Sequence, residues 1–193
     1  MTSTQPSTLL ASLFEHLDEE RCLTVLDIGS ALPETVDFFS RYRCKLHFVD
    51  LFSELPIVAG EIEEEGDSSL QQQFSELLQF PVGTRFDICL FWDLFNFLDS
   101  EAISAFVTAL RPNLRIGSLA HGFAVHSTKS PQGDHLYGVS GMDELRVRHR
   151  AARLPGYTPH TQGQLQNLLN DFSFDRSMLL PDSRLELLLR VSI

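Results

Sequence analysis

The chain has 193 residues, of which 43% are hydrophobic and 21% charged, a typical balance for a globular domain with a sizeable core. It contains no run of roughly 18 apolar residues, so the sequence predicts no transmembrane helix. The formal net charge of −11 disfavours nonspecific binding to nucleic acid, because such binding needs a basic surface.

The N-terminal residues and the cysteines indicate in which cellular compartment to expect the protein. Residues 1–8 are polar and carry no Lys or Arg, which argues against a secretory signal or a transit peptide. The three cysteines (Cys22, Cys44 and Cys89) are far apart and favour reduced, packed thiols over a disulfide framework or a zinc site. We therefore expect a soluble cytoplasmic protein without a metal site and without a membrane segment.

The first half of the chain alternates helical and strand patterns. Ser7 can cap a helix within residues 1–20, with one apolar stripe made of Leu9, Leu10, Leu13, Phe14 and Leu17. A strand is predicted over 23–28, a helix over 33–42 and a second strand over 45–51. An acidic, solvated loop follows, and the next helix is predicted to begin at Asp67 or Ser68.

The second half continues the alternation and then changes. A strand over 85–92 ends at Asp93, Ser100 can cap the next helix, and a further strand lies over 119–126. Residues 129–160 are predicted as an irregular, Arg-rich insertion. Thr161 and Gln164 fit a capping box for a short helix, and 172–191 is predicted as a β-hairpin with its tip at 181–183.

This order of elements predicts an α/β fold over the whole chain, as a single domain. Strands joined through helices favour a mostly parallel sheet with helices on both faces, in three α/β/α layers. The terminal hairpin adds two antiparallel strands to that sheet.

Three stretches of this Rossmann-like pattern resemble the class I S-adenosylmethionine-dependent methyltransferase family. They are "VLDIGS" at 25–30, "LHFVDL" at 46–51 and "FDICLFWDLFNFLDSEAISAFVTALRP" at 86–112. The resemblance covers roughly residues 22–193 by order of elements, and its motifs are moderately specific together. It implies that S-adenosylmethionine is the cofactor and that the protein is a methyltransferase.

The resemblance also implies which residues hold that cofactor: Asp27, Gly29, Ser30, Asp50, Leu51 and Asp93. Asp27 and Gly29 would face its methionine part, Asp50 its ribose hydroxyls, and Asp93 the region between cofactor and substrate. These residue types suit the roles, because a strand-end carboxylate can accept two hydrogen bonds from a ribose diol and repels the 2′-phosphate of NADP. Glycine lets the backbone approach a ligand closely.

The same residues also have structural interpretations. Asp27 can cap the following helix, and Trp92 can belong to the core. For the acceptor, a small molecule or a protein, we expect Asp93, His121 or Tyr137 to steer or deprotonate the attacking group. His121 is alternatively a structural hydrogen-bonding group.

Some features depart from the family pattern and keep a second function open. Ala31, Leu32 and Pro33 stand where further glycines are usual, and 52–85 contains no convincing third strand. The alternative is a catalytically degenerate methyltransferase-like fold that works as a binding or scaffold protein.

A basic segment stands out against the acidic chain. Arg146, Arg148, Arg150 and Arg153 lie within eight residues. They fit either a solvated helix face or a surface that binds an acidic substrate, a partner protein or a second copy of the chain in a homodimer.

Overall fold

The computed structural model describes residues 2–15, 20–59 and 69–192, and these contain nine strands and five α-helices. The strands are β1 (Thr2–Pro6), β2 (Leu23–Asp27), β3 (Cys44–Phe48), β4 (Ile88–Trp92), β5 (Leu119–Val125), β6 (His135–Gly141), β7 (Glu144–His149), β8 (Phe172–Leu179) and β9 (Arg184–Val191). The helices are α1 (Thr8–Ala11), α2 (Pro33–Phe39), α3 (Leu70–Leu77), α4 (Ser100–Leu110) and α5 (Gln162–Leu168).

Six strands form the main sheet in the order β3-β2-β4-β5-β9-β8. Strands β2 to β5 run parallel, whereas β9 is antiparallel to both β5 and β8. The predicted α/β fold, its mostly parallel sheet and its terminal hairpin are therefore confirmed. Strands β4 and β5 are buried along their whole length, which explains their continuous apolar sequence.

Local signals set the helix starts. Ser7 accepts a hydrogen bond from the Leu10 N–H, and the capping box between Thr161 and Gln164 is present. Asp99, rather than Ser100, caps α4, because its carboxylate accepts from the Ala102 N–H at 2.8 Å. The prediction of Ser100 as the cap was wrong by one residue.

A second, smaller sheet has the order β1-β7-β6 and is antiparallel throughout. It corrects two predictions: residues 2–6 are a strand and not part of a helix, and 129–160 contains a hairpin. The side chains of Tyr137, Val139 and Val147 belong to the same buried core as the main sheet. The alternation of these apolar positions was obscured by the arginines and glycines between them.

The small sheet packs on α2. The Val139 N–H donates to Thr35 Oγ1 at 3.0 Å, and Arg148 forms a two-point contact with the Glu34 carboxylate. Gly138 permits this approach, since a Cβ there would lie 2.6 Å from Glu34 Cγ.

Some predictions fall partly outside the described residues. These are the acidic loop at 61–68, the helix start at Asp67 or Ser68, and Leu17 of the N-terminal stripe. Where the description resumes, Ser69 caps α3. Between β3 and β4 the described residues contain no further strand, and no helix in the described ranges could cross a membrane.

Candidate cofactor and acceptor site

The parallel sheet brings three acids to one edge. Asp27 ends β2, Asp50 follows β3, and Asp93 follows β4, and these strands are direct neighbours. Because the carboxyl ends of parallel strands meet at one edge, the three strand-end acids (Asp27, Asp50 and Asp93) share the part of the fold where open α/β sheets bind ligands.

Asp27 is the most deeply buried of them, with 1% of its surface exposed. Its Oδ1 accepts hydrogen bonds from the Gly29 N–H at 2.8 Å and from the Trp92 indole N–H at 2.7 Å. Burial raises the pKa of Asp27 to about 7, and these two hydrogen bonds oppose that rise. The other oxygen, Oδ2, is buried and has no partner among the described residues.

Trp92 shapes this corner of the site. Its backbone has φ +48°, which places the indole against Gly29, where a Cβ would lie 3.1 Å from Trp92 Cδ1. The indole also stacks on Tyr137 with a centroid separation of 5.5 Å, and Tyr137 stacks on Phe123 at 4.9 Å. In this structure Gly29 accommodates the protein's own aromatic side chain.

Asp50 is held by the loop after β2. The Ser30 hydroxyl donates to Asp50 Oδ2 at 2.5 Å, while Oδ1 is buried without a partner in the described chain. The next residue, Leu51, is fully buried, and its N–H donates to the Ile28 carbonyl at 3.0 Å. Leu51 therefore fixes the loop that carries Asp50.

Arg150 places a cation beside these acids. Its guanidinium carbon lies 4.4 Å from the Phe52 ring centroid, and its Nε donates to the His135 carbonyl at 3.1 Å. Burial lowers the pKa of Arg150, and the attraction of Asp93 and Asp50 opposes that change. The sequence pattern predicted that this arginine segment binds an acidic surface, and the structure places Arg150 against acids of its own chain.

Asp93 lines a cavity of about 530 Å³, the Asp93 cavity, which extends to the tip of the β8–β9 hairpin. Only 4% of Asp93 is exposed, and burial raises its pKa to about 7, against the opposing charges of Arg150 and Arg184. Asn96, three residues later, also lines this cavity. Of the residues proposed from sequence for the acceptor, Asp93 is the one that reaches it.

The other two acceptor candidates have structural partners. The Tyr137 hydroxyl accepts from Arg184 at 2.8 Å, and burial raises its pKa well above the ordinary value, so it stays protonated. His121 is fully buried, with Nε2 2.7 Å from Glu186 Oε1, and it does not line the Asp93 cavity. This position favours the structural interpretation of His121.

The arginines of the basic segment do not form one patch. Arg148 pairs with Glu34, Arg150 lies beside the strand-end acids, and Arg153 donates to Gln132. They lie on β7 and in the chain after it, so the interpretation as a helix face was wrong. Among the described residues, no group of three or more His, Cys, Asp or Glu is placed to hold a metal.

Comparison with known proteins identifies the fold. No protein-family model matches the chain, and no curated protein matches it. Solved structures match over nearly the whole chain. The 1,6-didemethyltoxoflavin-N1-methyltransferase of Burkholderia thailandensis, which binds 1,6-didemethyltoxoflavin and S-adenosylhomocysteine, is 16% identical with a TM-score of 0.52, over 97% of this chain and 80% of that one.

Two further solved structures of methyltransferases are also similar to this chain in fold. The glycopeptide N-methyltransferase MtfA, complexed with S-adenosylhomocysteine, is 13% identical with a TM-score of 0.50, covering 97% of this chain and 91% of that one. A TehB-like methyltransferase of Corynebacterium glutamicum is 12% identical with a TM-score of 0.50, covering 95% and 88%. The chain has the class I methyltransferase fold. The predicted resemblance is confirmed at the level of fold.

Other residues near the site gave weaker sequence signals. Asn96 lies in the turn after Asp93, a place where a polar side chain could have suggested a role. Asp134, just before β6, and Arg184, at the start of β9, both line the cavity, and nothing in their local sequence indicates that they meet.

Proposed function

We propose that this protein is an S-adenosylmethionine-dependent methyltransferase. The observation that carries the proposal is the pair Asp27 and Asp50, at the carboxyl ends of adjacent parallel strands. Each keeps one buried carboxylate oxygen without a partner among the described residues. An unpartnered buried acceptor is costly, so both positions favour a ligand with hydrogen-bond donors.

The residues fit the parts of this cofactor. Asp50 Oδ1 suits a ribose hydroxyl, and Asp27 Oδ2 suits the ammonium group of the methionine part. When bound, S-adenosylmethionine supplies an electrophilic methyl group on a sulfonium. The methyltransferases of similar fold that bind S-adenosylhomocysteine support this choice.

The remaining site residues would position the acceptor and exclude water. Asp93 is the strand-end acid that lines the cavity, where it can accept a proton from the acceptor. Trp92, the residue before Asp93, stacks on Tyr137, which stacks on Phe123, and this buried stack holds the backbone at Asp93 in place. Methyl transfer depends chiefly on such positioning.

A second candidate is a methyltransferase-like protein that binds a partner without catalysis. The favouring observation is that the chain's own side chains lie over the site: Trp92 covers Gly29, and Arg150 covers the Phe52 ring. For a methyltransferase, these two side chains would have to shift when the cofactor binds.

Isothermal titration calorimetry with S-adenosylmethionine and S-adenosylhomocysteine separates the two candidates, with NAD as the control ligand. The methyltransferase proposal expects saturable binding of both sulfur compounds and none of NAD. Absence of binding at about millimolar cofactor, a free energy near −4 kcal/mol, would favour the binding protein.

A further inference from the structure

The Asp93 cavity contains two buried side-chain acceptors close together in sequence. Asp93 is 4% exposed and Asn96 is 5% exposed, and both line the cavity. The Oδ1 atom of each has no hydrogen-bond partner among the described residues. Leaving such groups unpaired is costly, so a ligand that donates to both would be favoured.

The charges around the cavity also favour a donor. Asp134 and Asp182 line it together with Asp93. The arginine of the lining, Arg184, is already bound to Asp182, the Tyr137 hydroxyl and Gln5. Arg150, which is not part of the lining, offsets part of the charge of Asp93 and leaves the three acids in excess of the two arginines. Burial and the nearby Arg184 lower the pKa of His135, so this lining histidine is neutral near pH 7. The lining of the cavity therefore carries a surplus of hydrogen-bond acceptors and of negative charge.

The volume of the Asp93 cavity and the number of its unpaired acceptors limit which class of ligand fits. A cavity of about 530 Å³ is in the range of small-molecule sites. A primary amine has enough N–H groups to donate to Asp93 and Asn96 at once, whereas an alcohol or thiol has one donor.

Resting on the proposed function, we infer that the methyl acceptor is a small-molecule amine whose nitrogen is held between Asp93 and Asn96. In the reaction, the lone pair of the neutral amine forms a bond to the methyl carbon while the carbon–sulfur bond breaks. The electron pair of the broken bond stays on sulfur, which becomes a neutral thioether. The N-methylammonium product gives one proton to the Asp93 carboxylate, which passes it to solvent.

Matched pairs of probes test this inference in the presence of saturating S-adenosylhomocysteine. Benzylamine is compared with benzyl alcohol, tryptamine with tryptophol, and putrescine with 1,4-butanediol, by calorimetry at pH 8. We expect at least one amine to bind about tenfold more tightly than its alcohol, the ratio expected for one additional hydrogen bond to a charged group. If no amine binds better than its matched alcohol, the inference is wrong.

Two variants test whether the amine nitrogen binds at Asn96. Asn96→Ala should weaken binding of the preferred amine about fivefold or more and leave S-adenosylhomocysteine affinity unchanged, because it removes one acceptor of the amine. Asn167→Ala, an exposed asparagine on α5, is the control and should change neither. Equal amine affinity in Asn96→Ala and wild type would overturn the placement of the nitrogen.

The two proposals fail in different ways. Binding of S-adenosylhomocysteine with a preference for alcohols refutes the amine and leaves the methyltransferase proposal standing. Failure of S-adenosylhomocysteine to bind refutes the methyltransferase proposal, and the amine inference falls with it.

Discussion

The indole N–H of Trp92 donates a 2.7 Å hydrogen bond to Asp27 Oδ1 and so connects the ends of the neighbouring strands β4 and β2. Asp27 is buried, and its pKa is raised to about 7 by that burial. The indole donor therefore stabilises the ionised form of Asp27, whereas burial of the carboxylate disfavours that form.

Replacing the indole should affect stability differently at two pH values. Trp92→Phe removes the donor, and a hydrogen bond to an ionised carboxylate contributes about 1.5–3 kcal/mol, against about 1 kcal/mol for a neutral group. We expect the loss of unfolding free energy in urea to be larger at pH 8 than at pH 5. Equal losses at both pH values would mean that packing alone accounts for the effect of Trp92.

Asp27 should make the protein less stable as the pH rises. Its pKa in the fold is about 7 and its ordinary value 3.8, so the folded state binds the proton more tightly. The associated stabilisation is fully present below about pH 4 and is lost as the pH rises to about 7. The difference between those pKa values corresponds to about 4 kcal/mol.

Asp27→Asn, which resembles the protonated acid, should therefore be more stable than wild type at pH 8 and nearly equal at pH 4. Urea denaturation across this range measures the difference. Asp37→Asn, at an exposed site on α2, is the control and should follow the wild-type curve. A variant less stable than wild type at pH 8 would contradict the prediction.

Asp50 should contribute directly to cofactor affinity. Asp50→Ala removes the acceptor expected for the ribose and should weaken S-adenosylmethionine binding by about 1.5–3 kcal/mol, measured by calorimetry. Asp37→Ala is the matched control and should bind like wild type. An unchanged affinity in Asp50→Ala would remove the assigned role of this acid.

Arg150 should oppose cofactor binding. Its guanidinium lies over Phe52 and interacts with Asp50 and Asp93, so it competes with a cationic sulfonium for the same negative charges. Arg150→Gln should tighten S-adenosylmethionine binding about fivefold, a change of about 1 kcal/mol. Arg146→Gln, at an exposed position on the preceding strand β7, serves as the control. Weaker binding in Arg150→Gln would show that this arginine supports the site.

The contact between the small sheet and α2 can be tested with two glycines. Gly138→Ala puts a Cβ 2.6 Å from Glu34 Cγ, within the ion pair with Arg148, and should cost about 1–3 kcal/mol of unfolding free energy. Gly163→Ala, in α5 with open space around its Cβ position, should instead stabilise the protein by about 0.5–1 kcal/mol. Similar effects of the two substitutions would argue against a tight contact at Gly138.

The main sheet and its acidic edge could be predicted from the amino-acid sequence alone. Short apolar runs rich in β-branched and aromatic residues favour strands buried on both faces, and the acids that end them mark their carboxyl ends. The placement of Asp27, Asp50 and Asp93 at one edge follows from that pattern. The terminal hairpin was likewise evident, because alternating apolar residues flank a Pro-Asp-Ser turn.

The side chains that contact those acids could not be predicted in the same way. Arg150 follows β7, Arg184 begins β9 and Asp134 precedes β6, so their positions depend on packing between elements far apart in the chain. Local sequence fixes the period and burial of an element but not which side chain of a distant element lies against it. The same physical limit explains why His121 was a plausible base in sequence and is a buried partner of Glu186 in the fold.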